Sequence, residues 1–176
     1  MTLLVCGGAA SGKSAYAEKM LCKLSGDAPR VYLATMRPVG AEAAARIGRH
    51  RAQRAGRGFE TLEWALGLSA APIPPGSAVL LEDIGNLCAN EMFDPAGSGD
   101  GAADAVVRGV EALRERCGVL VLVTNEVCSG GAGYAGDTLR YLRALGEINR
   151  RLAALSDAVC EVVCGLADYW KGEETV

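Results

Sequence analysis

The sequence predicts a single α/β domain whose sheet is mostly parallel and carries helices on both faces. Short apolar segments alternate with segments of helical periodicity along the 176 residues. Such segments are typical of parallel strands, because crossover helices cover both faces of a parallel sheet. Neither a composition shift nor an internal repeat divides the chain, so residues 1–176 are expected to form one domain.

Apolar runs bounded by glycine, proline or polar residues predict the strands. The last predicted strand is a short aromatic segment that is expected at an edge of the sheet. In chain order the predicted strands are Thr2–Cys6, Arg30–Thr35, Phe59–Trp64, Ala78–Glu82, Val119–Thr124, Ala158–Cys164 and Tyr169–Lys171.

Apolar residues at three- and four-residue spacing predict the helices between these strands. The predicted helices are Ser14–Leu24, Ala41–Ala55, a segment after Glu82 that ends near Phe93, Ala102–Arg116, and a long helix capped by Asp137. The long helix carries an apolar stripe of Leu139, Leu142, Leu145, Ile148, Leu152 and Leu155. Loops are expected at Pro72–Gly76 and Ser129–Gly136, and Asp94–Gly101 is expected to be a mobile surface loop.

Composition excludes several classes of protein. Hydrophobic residues make up 50% of the chain and charged residues 22%, which is typical of a globular protein and not of a disordered one. No apolar run is long enough to span a membrane, and Thr2–Cys6 is too short for the core of a signal peptide. The net charge of −3 provides no general attraction to nucleic acid.

The seven cysteines are odd in number and contain no C-x-x-C pair. With no export signal in view, this usage favours free thiols over disulfides. We therefore expect buried thiols in a cytoplasmic protein.

The stretch Gly7-Gly8-Ala9-Ala10-Ser11-Gly12-Lys13-Ser14 matches the phosphate-binding pattern G-x-x-x-x-G-K-[ST] in full. Its glycines allow a tight turn of converging backbone N–H groups, and the following helix adds the positive end of its dipole. We expect Lys13 to reach the outer phosphates and the Ser14 hydroxyl to hold Mg²⁺. The stretch predicts a nucleoside triphosphate site in a P-loop NTPase domain with a RecA-like sheet.

Polar residues follow several of the predicted strands, where ligands of parallel sheets bind. Glu82 ends an apolar strand, at the position that holds Mg²⁺ directly or through water in P-loop enzymes, so Ser14 and Glu82 are the candidate metal ligands. Asp83 is either a further acid of this site or the cap of the next helix. Glu126 is either a charge at a turn or a second catalytic carboxylate.

His50 is the only histidine of the chain, and it lies in a segment rich in arginine. On one helix Arg46, His50 and Arg54 share a face, and an anion between them would relieve their mutual repulsion. Neighbouring guanidinium groups favour the neutral imidazole, which is the form that attacks phosphorus. The same spacing also fits a solvated arginine-rich face with an incidental histidine.

The chain resembles the bifunctional adenosylcobinamide kinase/adenosylcobinamide-phosphate guanylyltransferase family of cobalamin biosynthesis over essentially its whole length. The segment A-A-R-I-G-R-H at Ala44–His50 and the segment V-T-N-E-V at Val123–Val127 are the more specific parts of this resemblance. It also rests on the phosphate-binding stretch, A-T-M at Ala34–Met36, L-L-E at Leu80–Glu82 and I-N-R-R-L-A at Ile148–Ala153.

The resemblance implies a fold, two activities and a set of residues. Such enzymes phosphorylate adenosylcobinamide with a nucleoside triphosphate, ATP or GTP. They then transfer GMP from GTP to the product through a histidine that corresponds to His50, which gives adenosylcobinamide-GDP. The resemblance also implies a homotrimer, and from the net charge and the short apolar runs we expect neither a nucleic-acid partner nor membrane insertion. It places nucleotide contacts at Gly7–Ser14, Ala34, Thr35, Met36, Arg51, Ala52, Gln53, Arg54, Glu63 and Glu82.

Three other classes of protein compete with this interpretation. A small-molecule kinase without guanylyl transfer is the main alternative, but it leaves the arginine–histidine face unexplained. A GTP-binding switch requires an N-K-x-D motif that the chain lacks. An ATPase acting on DNA requires a basic surface, which the net charge of −3 does not supply.

Overall fold

The computed structural model describes residues 1–37, 48, 56–127 and 133–174. Within these residues the chain forms a seven-stranded sheet with four α-helices. The strands are β1 (Thr2–Cys6), β2 (Arg30–Ala34), β3 (Phe59–Glu63), β4 (Ala78–Glu82), β5 (Val119–Val123), β6 (Ala158–Val163) and β7 (Leu166–Lys171). The helices are α1 (Lys13–Leu24), α2 (Ile84–Phe93), α3 (Ala102–Arg116) and α4 (Gly136–Leu155). The predicted helix Ala41–Ala55 lies outside the described residues except for Gly48.

The strand order is β3-β2-β4-β5-β1-β6-β7, and every neighbouring pair is parallel except β6–β7. Leu4 of β1 pairs in register with Leu122 of β5 on one side and with Val159 of β6 on the other. The predicted interior position of β1 and β5 is therefore confirmed, as is the predicted edge strand β7. The carboxyl ends of β1 to β6 lie at one edge of the sheet, which we call the carboxyl edge, and the opposite edge is the amino edge.

Alternate residues of the central strands are buried on opposite faces, as the apolar runs predict. Leu4 and Leu122 pack with α2, α3 and α4 on one face, whereas Leu3 and Val121 pack with α1 on the other. Each fully buried leucine contributes about 1.5–3 kcal/mol to folding. Burying both faces accounts for strands that are apolar at successive positions.

Helix α4 begins differently from our prediction. Its cap position is Ala135 rather than Asp137, and Asp137 lies in the first turn, where its carboxylate accepts a hydrogen bond from Arg140 at 2.7 Å. Of the predicted stripe, Leu145, Ile148 and Leu152 are fully buried, while Leu139, Leu142 and Leu155 are half-buried.

The segment that follows α2 lies at the surface, as predicted, and hydrogen bonds attach it to the rest of the protein. The Glu91 carboxylate accepts hydrogen bonds from the backbone N–H and the hydroxyl of Ser98, at 3.2 and 2.8 Å. Asp94 forms an ion pair with Arg37. A glycine-rich stretch is thus fixed by one buried carboxylate, which local composition does not reveal.

The thiols are less buried than predicted. Six cysteines lie in the described residues and all six are free, but only Cys88 and Cys160 are buried and Cys164 is exposed. Cys164 occupies a turn between two strands, which explains its exposure. Among the helices that the structure describes, none has the length and apolar composition needed to cross a bilayer.

Candidate nucleotide site

The phosphate-binding stretch Gly7–Ser14 connects the end of β1 to the start of α1 at the carboxyl edge. Gly12 has a φ of 93°, a left-handed conformation that glycine adopts without strain. A Cβ atom at Gly7 would lie 2.6 Å from the carbonyl oxygen of Val162, so the loop packs directly on β6. Two of the predicted glycines are therefore required by backbone geometry.

Lys13 lies within the loop and not on the outer surface. Its side chain is nearly buried, and its Nζ donates a hydrogen bond to the carbonyl oxygen of Gly8 at 3.0 Å. A cation at the first turn of α1 adds to the positive end of the helix dipole. The ammonium group of Lys13 and the start of α1 therefore both place positive charge at the loop, as phosphate binding requires.

Ser14 and Glu82, the two predicted metal ligands, are in direct contact. The Ser14 hydroxyl donates a hydrogen bond of 2.6 Å to Oε1 of Glu82, whose side chain is only 8% exposed. The second oxygen, Oε2, has no hydrogen-bond partner among the described residues. Burial, together with the charge of Asp83, raises the pKa of Glu82 from 4.5 to about 7, although the Ser14 hydrogen bond and the charge of Lys13 lower it.

Asp83 caps helix α2, which is one of its two predicted roles. Its Oδ1 accepts the backbone N–H of Asn86 at 2.9 Å, and its Oδ2 accepts the Asn125 amide at 2.9 Å. Thr35, which is buried, binds the backbone around Asp83: its hydroxyl lies 2.8 Å from the Asp83 carbonyl oxygen and accepts the Asp83 N–H at 2.9 Å. These contacts join the carboxyl ends of β2, β4 and β5.

The polar network continues from β5 to α4. Asn149 accepts a hydrogen bond from the buried Thr124 hydroxyl at 2.6 Å and donates one to the carbonyl oxygen of Asn125 at 3.4 Å. A Cβ atom at Gly85 would lie within 3.2 Å of polar atoms of Tyr141, Asp83 and Asn125, so a larger residue there would displace these side chains. Sequence reasoning missed Asn86, Gly85 and Asn149 as members of this network, although V-T-N-E-V and I-N-R-R-L-A contain two of its asparagines.

The remaining predicted contacts are spread along the carboxyl edge. Ala34 ends β2 in register with Glu82 on one side and Glu63 on the other. At a strand spacing of about 4.8 Å, Glu63 lies two strands, or roughly 10 Å, from Glu82. Glu126 donates its backbone N–H to the carbonyl oxygen of Gly7 at 3.1 Å, and its side chain is half-buried.

The predicted catalytic residue, His50, lies outside the described residues, as do Arg51, Ala52, Gln53 and Arg54. Of the arginine-rich segment, Arg57 is described, and its guanidinium lies 3.2 Å from the buried Glu18 carboxylate of α1. Arg57 thus has a structural partner.

No group of three or more histidine, cysteine, aspartate or glutamate side chains that could hold a metal occurs in the part of the chain that the structure describes. Mg²⁺ is commonly bound by one or two carboxylates together with substrate phosphates. The pair of Ser14 and Glu82 fits that mode, since one carboxylate oxygen is buried and none of the described residues hydrogen-bonds to it.

Comparison with solved structures supports the fold. The ATPase domain of G40P aligns with a TM-score of 0.53 at 12% identity, covering 91% of this chain and 68% of that chain. A likeness at this identity shows the fold alone, and that fold is an α/β domain with a mostly parallel sheet, as the sequence predicts.

Comparison with sequences is more specific. The model of the family described as "Cobinamide kinase / cobinamide phosphate guanyltransferase" matches residues 3–168. The bifunctional adenosylcobalamin biosynthesis proteins CobU of Salmonella typhimurium and Escherichia coli are 37% and 35% identical, each over 94% of this chain and 97% of the relative. The bifunctional protein CobP of Pseudomonas aeruginosa is 32% identical over 97% of both chains.

The matched family and relatives are described as having both activities, the kinase and the guanylyltransferase. The alternative of a small-molecule kinase without guanylyl transfer is therefore not supported. They span nearly all of the chain, including the described loop, Glu82 and the polar network. The chain therefore belongs to the cobinamide kinase / cobinamide phosphate guanyltransferase family, a family of bifunctional enzymes of cobalamin biosynthesis.

Proposed function

We propose that the carboxyl edge binds the nucleoside triphosphate of the kinase step and that His50 carries GMP during guanylyl transfer. The observation that supports the first part is the contact of 2.6 Å between Ser14 and Glu82 beside the phosphate-binding loop. A hydroxyl and a buried carboxylate in contact at the start of a positively charged loop form a site for phosphate and a divalent cation.

In the kinase step, the backbone N–H groups of Gly7–Ser14 hold the phosphates and Lys13 neutralises their charge. Ser14 and Glu82 would hold Mg²⁺, which would offset the negative charge that develops on the leaving phosphates. Glu82 would bind the cation as a carboxylate, because a cation beside it favours the charged form and counters the effect of burial. The acceptor is the aminopropanol hydroxyl of adenosylcobinamide, and ATP or GTP is the donor.

In the guanylyl transfer step, the neutral imidazole of His50 attacks the α-phosphorus of GTP while Arg51 and Arg54 hold the phosphates. The bond between the α-phosphorus and the bridging oxygen breaks, and pyrophosphate leaves. The phosphate of the acceptor then displaces GMP from the histidine nitrogen and gives adenosylcobinamide-GDP. The family resemblance of Ala44–His50 supports this assignment.

We further propose contacts of the nucleotide with Ala34, Thr35, Met36, Ala52, Gln53 and Glu63. The position of β2 and β3 at the carboxyl edge supports the contacts from these strands. The same family resemblance supports a homotrimer, and the six free cysteines support a cytoplasmic location.

Intact-protein mass spectrometry after incubation with GTP and Mg²⁺ tests the covalent step. We expect an acid-labile, alkali-stable adduct with the mass of GMP that forms without any corrinoid. His50→Asn should abolish the adduct and guanylyl transfer but retain much of the phosphorylation of adenosylcobinamide, because that step uses the loop.

The two activities should therefore separate at one residue. A His50→Asn protein that still transfers GMP, or a wild-type protein that never acquires the adduct, would contradict the covalent mechanism.

A further inference from the structure

Backbone N–H groups from two distant segments hold the phosphate-binding loop from outside. The N–H of Gly165 donates to the carbonyl oxygen of Ser11 at 2.8 Å, and the N–H of Glu126 donates to that of Gly7 at 3.1 Å. Gly165 lies in the turn between β6 and β7, far from the loop in sequence. Both contacts are made to carbonyl groups of the loop and not to its side chains.

Because the peptide bond is planar, these contacts also fix the direction of backbone N–H groups in the phosphate-binding loop. In a trans peptide unit the C=O group and the N–H group of the next residue point in opposite directions. Holding the Ser11 carbonyl toward Gly165 therefore directs the Gly12 N–H away from the hairpin. By the same geometry, holding the Gly7 carbonyl toward Glu126 directs the Gly8 N–H to the opposite side.

The turn between β6 and β7 is suited to present this N–H. Cys164 and Gly165 have φ values of 53° and 81°, and Val163 pairs with Leu166 across the turn. Two consecutive positive φ values in a two-residue loop are typical of a type I′ hairpin turn. Gly165 lies at the tip of the hairpin, outside the strand ladder, so its N–H can serve the loop.

The hairpin makes two further contacts, one with the loop and one with helix α1. A Cβ atom at Gly12 would lie 3.2 Å from Cα of Gly165, so the two glycines are in direct contact. The Tyr169 hydroxyl of β7 lies 2.8 Å from the Tyr16 hydroxyl of α1. The hairpin thus contacts both the loop and the helix that follows it.

We propose that the β6–β7 hairpin is a positioning element of the nucleotide site and that Gly165 orients the Gly12 N–H toward the phosphates. This inference rests on the proposed function, namely that Gly7–Ser14 binds the triphosphate. It assigns a role in the nucleotide site to the β6–β7 hairpin, which lies outside the phosphate-binding sequence motif.

The test compares substitutions at two glycines that have nearly the same positive φ. Gly165 has a φ of 81° and Gly76 a φ of 78°, and a Cβ atom would meet nothing within 4 Å at either position. Gly76, however, lies at the amino edge, where its N–H donates to the carbonyl oxygen of Arg116. Gly165→Val and Gly76→Val should therefore lower the melting temperature by similar amounts but differ in nucleotide binding.

Calorimetric titration should show GTP binding weakened about tenfold in Gly165→Val, the loss expected for one misdirected hydrogen bond to a phosphate. Binding of inorganic triphosphate should weaken by the same factor, and both ligands should bind Gly76→Val as they bind the wild type. Gly165→Asn should restore binding to within about twofold, because asparagine adopts positive φ more readily than valine does. Gly165→Ala, a milder change, serves if the valine variant does not fold and should give an intermediate loss.

Unchanged triphosphate binding in Gly165→Val or Gly165→Ala, or an equal loss in the Gly76 variant, would overturn the inference. Loss of GTP binding without loss of triphosphate binding would also overturn it, since the hairpin would then contact the base and not orient the loop. Lys13→Ala in the same assay separates the two proposals. If Lys13→Ala binds GTP as tightly as the wild type does, the proposed function fails. If Lys13→Ala binds GTP more weakly while the Gly165 variants bind it normally, only the role of the hairpin is refuted.

Discussion

The carboxyl and amino edges of the sheet differ in how their buried polar groups are satisfied. At the carboxyl edge, Oε2 of Glu82 and the Ser11 hydroxyl are buried without a hydrogen-bond partner among the described residues. At the amino edge, the N–H of Thr2 donates to Asp157 at 2.7 Å and its hydroxyl accepts from Arg114 at 3.2 Å. The amino edge nevertheless holds a cavity of about 430 Å³, which Thr2, Arg114 and Asp157 help to line.

The two edges differ in hydrogen-bond satisfaction: among the described residues, the carboxyl edge holds buried polar atoms that a ligand or a cation could satisfy. A buried carboxylate oxygen without a partner costs free energy unless a ligand or cation compensates it. At the amino edge, Asp157 and Arg114 already satisfy the N–H and the hydroxyl of Thr2, so these two groups need no ligand. Three experiments test this contrast, beginning with the largest expected effect.

Lys13→Ala removes the cation of the carboxyl edge. We expect nucleotide affinity to fall about ten- to a hundredfold, the cost of one charge-assisted contact to phosphate, and turnover in the kinase step to fall further. Titration calorimetry and steady-state kinetics measure the two effects. Nucleotide binding and turnover equal to those of the wild type would remove the loop from the mechanism.

The pH dependence of stability tests the burial of Glu82. Its pKa is raised from 4.5 to about 7 in the folded protein. Between these two values the folded state therefore binds more protons than the unfolded state, and protonation of Glu82 stabilises the fold. The contribution of Glu82 to the free energy of unfolding is fully present below pH 4.5 and is lost as the pH rises through about 7. Relative to Glu82→Gln, which does not titrate, the wild type should lose on the order of 1–3 kcal/mol between pH 5 and 8.

Chemical denaturation of both proteins at several pH values measures this difference in the free energy of unfolding. Parallel pH profiles for the two proteins would show that Glu82 is not perturbed by its surroundings.

Asp157→Ala perturbs the amino edge and should have the smallest effect. It leaves the buried N–H of Thr2 without its acceptor, which should cost about 1–2 kcal/mol of folding stability. Kinase and guanylyl transfer rates should stay within about twofold of the wild type at a temperature where both proteins are folded. A selective loss of either activity in Asp157→Ala would contradict the expectation that the amino edge takes no part in catalysis.

Much of this architecture follows from local sequence patterns. The runs T-L-L-V-C and V-L-V-L-V predict interior parallel strands because both of their faces are apolar, and β1 and β5 lie there. The contact between Ser14 and Glu82 also follows, since a loop motif and an acidic strand end converge at the carboxyl edge of a parallel sheet.

Other features depend on contacts that leave no local signal. Asp137 lies in the first turn of α4 and not at its cap, whereas side-chain preference favours Asp137 as the cap. The support of the loop by Gly165 and Glu126 is made by backbone groups, so no side chain indicates it. Asn149 reaches Thr124 across the helix–sheet interface, and its pairing depends on the orientation of α4.

The central claim is that Ser14 and Glu82 form the cation site of the nucleotide. The most direct test is the affinity for a nonhydrolysable GTP analogue, measured by calorimetry with and without Mg²⁺, in the wild type and in Glu82→Gln. We expect Mg²⁺ to strengthen binding to the wild type, and we expect Glu82→Gln to retain the Mg²⁺-free affinity but to lose most of the Mg²⁺ effect. Equal strengthening by Mg²⁺ in the two proteins would contradict this claim.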